Sequence, residues 1–214
     1  MVFTVKWLGH ASFQIVVNKK IIYVDPYEGN YTDKADILLV SHDHHDHCDP
    51  SKIDLIRKED TIVIGPSGCA EKVGGKVKIL KPGEKVAVDG IHVEAVHAYN
   101  VKRFRSAEIP FHPKGSGLGF LITMDGKTVY FAGDTDFVPE MKDLKKVDLA
   151  LVPVGGTYTM DVPDAVEAIQ AIRPEVVIPM HRLGADLAEF RKQVENSSST
   201  KVVLLNPDEC YELR

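Results

Sequence analysis

The run Ser41-His42-Asp43-His44-His45-Asp46-His47-Cys48-Asp49 constrains this chain more than any other stretch. Four of the nine histidines fall in it, interleaved with three carboxylates. The apolar residues Ile37-Leu38-Leu39-Val40 stand just before it and read as a short buried strand. Asp49-Pro50 stands at its end and, with residues 51–57, reads as a helix start with proline in the first turn. A polar cluster between a core strand and a helix throws its side chains onto a rim. Imidazole and carboxylate are ligands of Zn²⁺, Mn²⁺ and Fe²⁺, and no thiolate is needed to complete such a set.

Short apolar and alternating runs fill the first half of the chain, at 3–8, 12–17, 20–24, 37–40, 61–64, 76–80, 85–88 and 91–96. They continue at 119–124, 127–132, 148–153, 176–179 and 202–205. Asp89-Gly90 and Asp125-Gly126 are strong hairpin signals, and Asn18-Lys19 is a weaker one. Val162, Val166, Ile169 and Ile172 form one apolar stripe at helical spacing, stopped by Pro174. Residues 185–196 predict a second helix, and 138–146 a third, short one. Strands first, then strands alternating with helices, predict an α/β chain in which sheet packs on sheet with helices outside. A length of 214 residues suits a single domain over 1–214 with a substantial core.

The net charge of −5 argues against nucleic-acid and anionic-membrane partners. No window approaches the roughly 18 apolar residues of a membrane span. The first residues lack the charged head and apolar run of a signal peptide. Cys48, Cys69 and Cys210 lack metal-type C-x-x-C spacing and do not suggest a disulfide framework. These features predict a cytoplasmic protein.

Five apolar runs, far apart in sequence, end on a metal ligand or a carboxylate that could orient one. Residues 21–24 lead to Asp25, 37–40 to His42, 93–96 to His97, 129–132 to Asp134, and 176–179 to His181. Strand ends on one side of a sheet form a common rim, where ligand sites are built.

Together, His42-x-His44-x-Asp46-His47, His97, Asp134 and His181, preceded by Asp25, resemble the metallo-β-lactamase superfamily over essentially the whole chain. The resemblance implies an αββα fold, a two-sheet β-sandwich flanked by helices, with two divalent metal ions on one edge. It implies His42, His44 and His97 on one ion, Asp46, His47 and His181 on the other, and Asp134 bridging them. Zinc is the expected metal, although the same ligands suit manganese and iron. Asp25 is expected to fix a ligand imidazole, and His45 falls at a position that is not a ligand in the family. Gly9-His10-Ala11-Ser12, Gly133-Asp134-Thr135 and Pro179-Met180-His181 look most like the ascorbate-6-phosphate-lactonase-like branch, a resemblance compatible with a homo-oligomer. True β-lactamases lack a bridging Asp at the Asp134 position. Flavodiiron proteins carry Glu where His44 stands and add a flavodoxin domain.

The implied activity is hydrolysis, with a metal-bridging hydroxide attacking a small anionic ester, lactone or phosphodiester. Asp46 is the candidate acid–base group, and His10 a second catalytic candidate. Residues 98–116 show no strand or helix pattern, and long unpatterned connections are often functional. Four cations (Lys102, Arg103, Arg105, Lys114) against Glu108 make this segment basic. It is expected to overhang the metals, with Asn100, His112 and Lys114 as substrate contacts. The alternative readings are a metal-dependent nuclease or phosphodiesterase, and an iron-based redox or sensor protein.

Overall fold

A computed structural model describes residues 2–214, which divide into two compact units. The first runs to Lys81 and takes back Leu205–Arg214; the second is Pro82–Leu204.

The first unit holds β1 (Phe3–Gly9), β2 (Ser12–Val17), β3 (Lys20–Val24), β4 (Ile37–Leu39), β5 (Ile62–Gly65), β6 (Val77–Ile79) and β16 (Cys210–Leu213). They form one mixed sheet in the order β16-β1-β2-β3-β4-β5-β6. Strands β1 to β3 are an antiparallel meander, turned at Asn18 (φ 49°) and Lys19 (φ 64°), the pair of left-handed residues a two-residue hairpin favours. Strands β3 to β6 are parallel neighbours. Two helices lie in the connections, α1 (Pro50–Ile56) and α2 (Ser67–Val73). The Asp49 side chain accepts from the Ser51 amide to cap α1. Ile53 and Ile56 of α1 and Cys69 and Val73 of α2 are buried in one cluster with Tyr23, Leu38 and Val63. Each such large apolar side chain contributes about 1.5–3 kcal/mol when fully buried. The C-terminal ends of β3, β4 and β5 share an edge, and the Gly9-His10-Ala11 turn reaches it because Phe13 pairs with Val24.

The second unit holds β7 (Lys85–Val88), β8 (Ile91–Ala98), β11 (Gly117–Met124), β12 (Lys127–Phe131), β13 (Leu149–Pro153), β14 (Val176–Met180) and β15 (Lys201–Val202). Their order is β15-β14-β13-β12-β11-β8-β7, beside a separate hairpin of β9 (Phe104–Ser106) and β10 (Ile109–Pro110). Asp89-Gly90 and Asp125-Gly126 turn their hairpins with both residues at positive φ, as their composition predicts. Strands β12 to β15 are parallel, and β13 and β14 are buried along their whole length, as strands covered on both faces are. Helix α3 (Val162–Ile172) is capped by Asp161 and ends where Arg173 turns left-handed before Pro174. It packs on α4 (Leu187–Ser197). The ends of β8, β12, β13 and β14 share one edge, which carries His97, Asp134, Gly155 and His181.

Three sequence expectations are corrected, and two elements were not foreseen. Residues 138–146 do not form an α-helix; only a 3₁₀ turn, Pro139–Asp143, forms, because Leu144 returns to extended backbone one turn after the proline. Residues 98–116 are not devoid of structure, since β8 runs to Ala98 and the β9–β10 hairpin lies within them. The run at 202–205 pairs only over Lys201–Val202. Helix α2 and strand β16 were not anticipated: α2 carries a glycine and only two buried residues, and β16 is too short and polar to show a pattern. Among the described residues, no helix is long and apolar enough to cross a membrane.

Candidate metal centre

In the first unit the histidine run divides its side chains between two directions. Asp43 turns to Lys72, and His45 packs edge-on against Tyr27, 5.7 Å between ring centroids. The other ring set converges: His42 lies 4.1 Å from His47 and 4.7 Å from His44, centroid to centroid. His45 therefore packs away from these three rings.

Asp25 organises these rings. Its carboxylate is fully buried and accepts from the Ser41 amide (2.7 Å), Ser41 Oγ (2.5 Å) and His47 Nδ1 (2.7 Å). Burial pushes its pKa above the ordinary carboxylate range, against the opposing pull of the His47 and Ser41 hydrogen bonds. Since Ser41 Oγ gives its proton to Asp25, it accepts from His42 Nδ1, 2.9 Å away. One carboxylate thus fixes two imidazoles, His47 directly and His42 through Ser41, each with Nε2 turned away from the anchor. His42 Nε2 lies 3.1 Å from His44 Nδ1. His10 Nε2 lies 3.1 Å from Asp46 Oδ2, and His47 Nε2 is 3.8 Å from the same oxygen. His10, Asp46 and His47 each offer a ligand atom within 4.8 Å of the others.

In the second unit, Asp134 is buried with an imidazole on either hand. His181 Nε2 is 3.3 Å and His112 Nε2 3.4 Å from Asp134 Oδ2. His97 does not join that pair: its Nε2 is 3.9 Å from Glu140 Oε1. His97 Nδ1 is buried and has no hydrogen-bond partner, as an atom reserved for a cation would be. Burial would raise the Glu140 carboxyl, but hydrogen bonds from Lys114 and Tyr99 hold it below the ordinary range. Asn100 pairs with His112, its Oδ1 accepting from both the His112 amide and Nδ1 at 2.8 Å.

The cations of the basic loop are largely committed within this unit. Asp136 Oδ2 accepts from the successive amides of Val101, Lys102 and Arg103 at 2.6–3.1 Å, a nest of backbone donors. The Arg103 guanidinium contacts Asp136, Asp161 and Asp164, and Lys102 pairs with Asp164. Lys114 Nζ is 2.7 Å from Glu140 and lies over the Tyr99 ring. Sequence reasoning missed Asp136, Arg103 and Glu140 as organisers of this edge; the one available signal was a second Asp two residues after Asp134.

His10, Asp25 and His181 adopt left-handed backbone, φ 46°, 46° and 45°. Histidine and aspartate tolerate that region better than most residues, at a cost the surrounding structure must offset. All three sit where a strand hands over to a loop. His and Asp donors, with tautomers set by a buried carboxylate and an orphaned imidazole nitrogen, fit a divalent metal.

Comparison with known proteins agrees with this chemistry. The beta-lactamase superfamily domain matches residues 4–181. A UPF0173 metal-dependent hydrolase from Pelotomaculum thermopropionicum is 35% identical over 98% of this chain and 99% of that protein. The structure of a metal-dependent hydrolase from Parabacteroides distasonis is 35% identical, with a TM-score of 0.88 over 94% of this chain and 92% of that one. Igni18, a metallo hydrolase from Ignicoccus hospitalis, is 27% identical, with a TM-score of 0.84 over 100% and 99%. The two mixed sheets and their helices are the fold of these neighbours, as the α/β two-sheet expectation held. The chain belongs to the metallo-β-lactamase superfamily and, within it, to the UPF0173 metal-dependent hydrolases.

Proposed function

We propose that this metal-dependent hydrolase cleaves a small anionic ester, lactone or phosphodiester using two divalent ions, with zinc the expected metal. His42, His44 and His97 would hold one ion and Asp46, His47 and His181 the other, with Asp134 shared. The observation that supports this reading is the anchoring of His47 and His42 by Asp25 and Ser41, which takes up Nδ1 of both rings and points Nε2 away from the anchor. When bound, such ions act as Lewis acids and lower the pKa of water from about 15.7 toward 7.

The chain's own residues have separate tasks. Asp46 would serve as the acid–base group, with His10 Nε2, 3.1 Å from its Oδ2, placed to pass a proton to it or take one from it. Asn100 fixes His112. Arg103 and Asp136 keep the loop that carries Asn100 in place; Arg105, exposed, and Lys114, exposed and paired with Glu140, would meet an anionic substrate. Work in the cytoplasm and self-association into a homo-oligomer complete the reading.

The test is metal analysis with turnover of bis-p-nitrophenyl phosphate and of a simple carboxylate-bearing lactone. Two equivalents of metal, with activity lost to chelation and restored by Zn²⁺ or Mn²⁺, support the proposal. Tight salt-dependent RNA binding would favour a nuclease, and iron-dependent electron transfer without hydrolysis a redox protein. Lys114→Ala should raise KM for the anionic lactone well above its effect on a neutral ester; equal effects remove the anionic preference.

A further inference from the structure

We propose that His112 is itself a metal ligand through Nε2, held in that role by Asn100; this rests on the metal reading above and adds a residue to it. The argument begins with Asn100, whose carboxamide orientation is fixed by its neighbours. The His112 amide, which can only donate, is 2.8 Å from Oδ1, and Nδ2 donates to the Tyr158 carbonyl at 2.9 Å. Oδ1 is therefore an acceptor, so His112 Nδ1, also 2.8 Å from it, must carry a proton. In the neutral ring that makes Nε2 an electron-pair donor.

Nε2 is presented to a carboxylate oxygen, Asp134 Oδ2, at 3.4 Å, with both residues buried. A lone-pair nitrogen 3.4 Å from an oxygen that the metal reading makes a ligand stands within reach of the same cation. His181 Nε2 lies 3.3 Å from the same oxygen. His97, which the strand-end pattern singles out, meets Glu140 through Nε2 at 3.9 Å and keeps Nδ1 buried.

The placement is rigid. Tyr99 and Thr135 exchange hydrogen bonds, Tyr99 N to Oγ1 at 3.1 Å and Oγ1 to Tyr99 O at 3.0 Å. Asp136 grips the next three amides after Asn100. Asn100 and Asp134 are thus carried on two segments tied to each other on either side. His112 comes from the loop before β11 rather than from a strand end, so the pattern that exposes the other ligands passes over it.

The test is an NMR titration of the full-length protein labelled with ¹⁵N-histidine, stripped by chelator and refilled with Zn²⁺. In the stripped protein His112 should show a protonated Nδ1 and an unprotonated Nε2, and saturation with zinc should move the Nε2 resonance to a metal-bound position. Calorimetry should show zinc binding weakened at least 10-fold in His112→Gln, and by about 10- to 100-fold in Asn100→Ala, the usual effect of losing an orienting partner. An Nε2 resonance unmoved at saturation, while those of His42 and His47 move, overturns the assignment and leaves the two-metal reading standing. A wild-type protein that binds no zinc overturns both. The wild-type titration decides the matter even if His112→Gln fails to fold.

Discussion

His47 Nδ1 donates to Asp25 Oδ2 across 2.7 Å, and both side chains are closed to solvent. A buried pair of this kind is costly to break from one side, because the remaining partner keeps its desolvation penalty. Asp25 also holds Ser41, and through it His42.

Asp25→Ala is therefore expected to destabilise the fold by about 3–5 kcal/mol and to weaken metal binding about 10- to 100-fold. Ser41→Ala should weaken metal binding with a smaller stability loss, and Ser41→Thr, which keeps the hydroxyl, should restore it. Denaturant midpoints and zinc titrations of the three variants check this; equal effects of Ser41→Ala and Ser41→Thr on the metal would refute the relay.

Arg103 is a tie between segments of the second unit. Its guanidinium is largely buried and meets Asp136, Asp161 and Asp164, so Arg103→Met should cost about 3–5 kcal/mol by stranding buried carboxylates. Lys102, exposed over half its side chain, meets Asp164 alone, and Lys102→Ala should cost less than about 1 kcal/mol. Urea denaturation distinguishes the two.

Acid should act through Asp164. Burial would raise its pKa, but hydrogen bonds from Lys102 and Arg103 and their charges more than offset this and leave it below the ordinary range. A carboxylate with a depressed folded pKa stabilises the native state above its unfolded value, about 3.9, and that contribution fades as pH falls through the lower folded value. Urea midpoints should drop along an acid limb below about pH 4. The limb should be shallower in Asp164→Asn; an unchanged limb would show that Asp164 does not contribute.

Gly155 leaves no room for a side chain. A Cβ there would collide with the His181 carbonyl oxygen and sit 3.1 Å from Leu183 Cβ. Gly155→Ala must shift the His181 backbone, with an expected loss of about 1–3 kcal/mol and weaker metal binding. Gly115→Ala, where a Cβ meets nothing within 4 Å but φ is +91°, should cost about 1 kcal/mol and leave the metal untouched. Thermal unfolding with and without zinc separates the two.

Much of this was legible in the chain because strands write a simple code. Runs of period two and Asp-Gly turns placed β2, β3 and β7 at their observed bounds, and Asp25, Asp134 and His181 do follow strands β3, β12 and β14. Residues 98–116 were opaque for the opposite reason. Their order comes from a carboxylate 33 to 35 residues away, Asp136, and from a side-chain amide that pairs with its own loop. Such long-range polar ties leave no periodicity to read. The positive charge visible there suggested an anion site, yet the structure spends Arg103 and Lys102 on acids of α3 and its cap. Helix α2 escaped notice because Cys69 and Val73 are its only buried residues.

The pairing of β1 with β16 sets an order of events during synthesis. All of the second unit leaves the ribosome before Cys210–Leu213 can seal the first sheet. In that interval Phe3–Gly9 offers one open row of amides and carbonyls to any neighbouring nascent chain. The first unit, which begins emerging earliest, is the last to be closed.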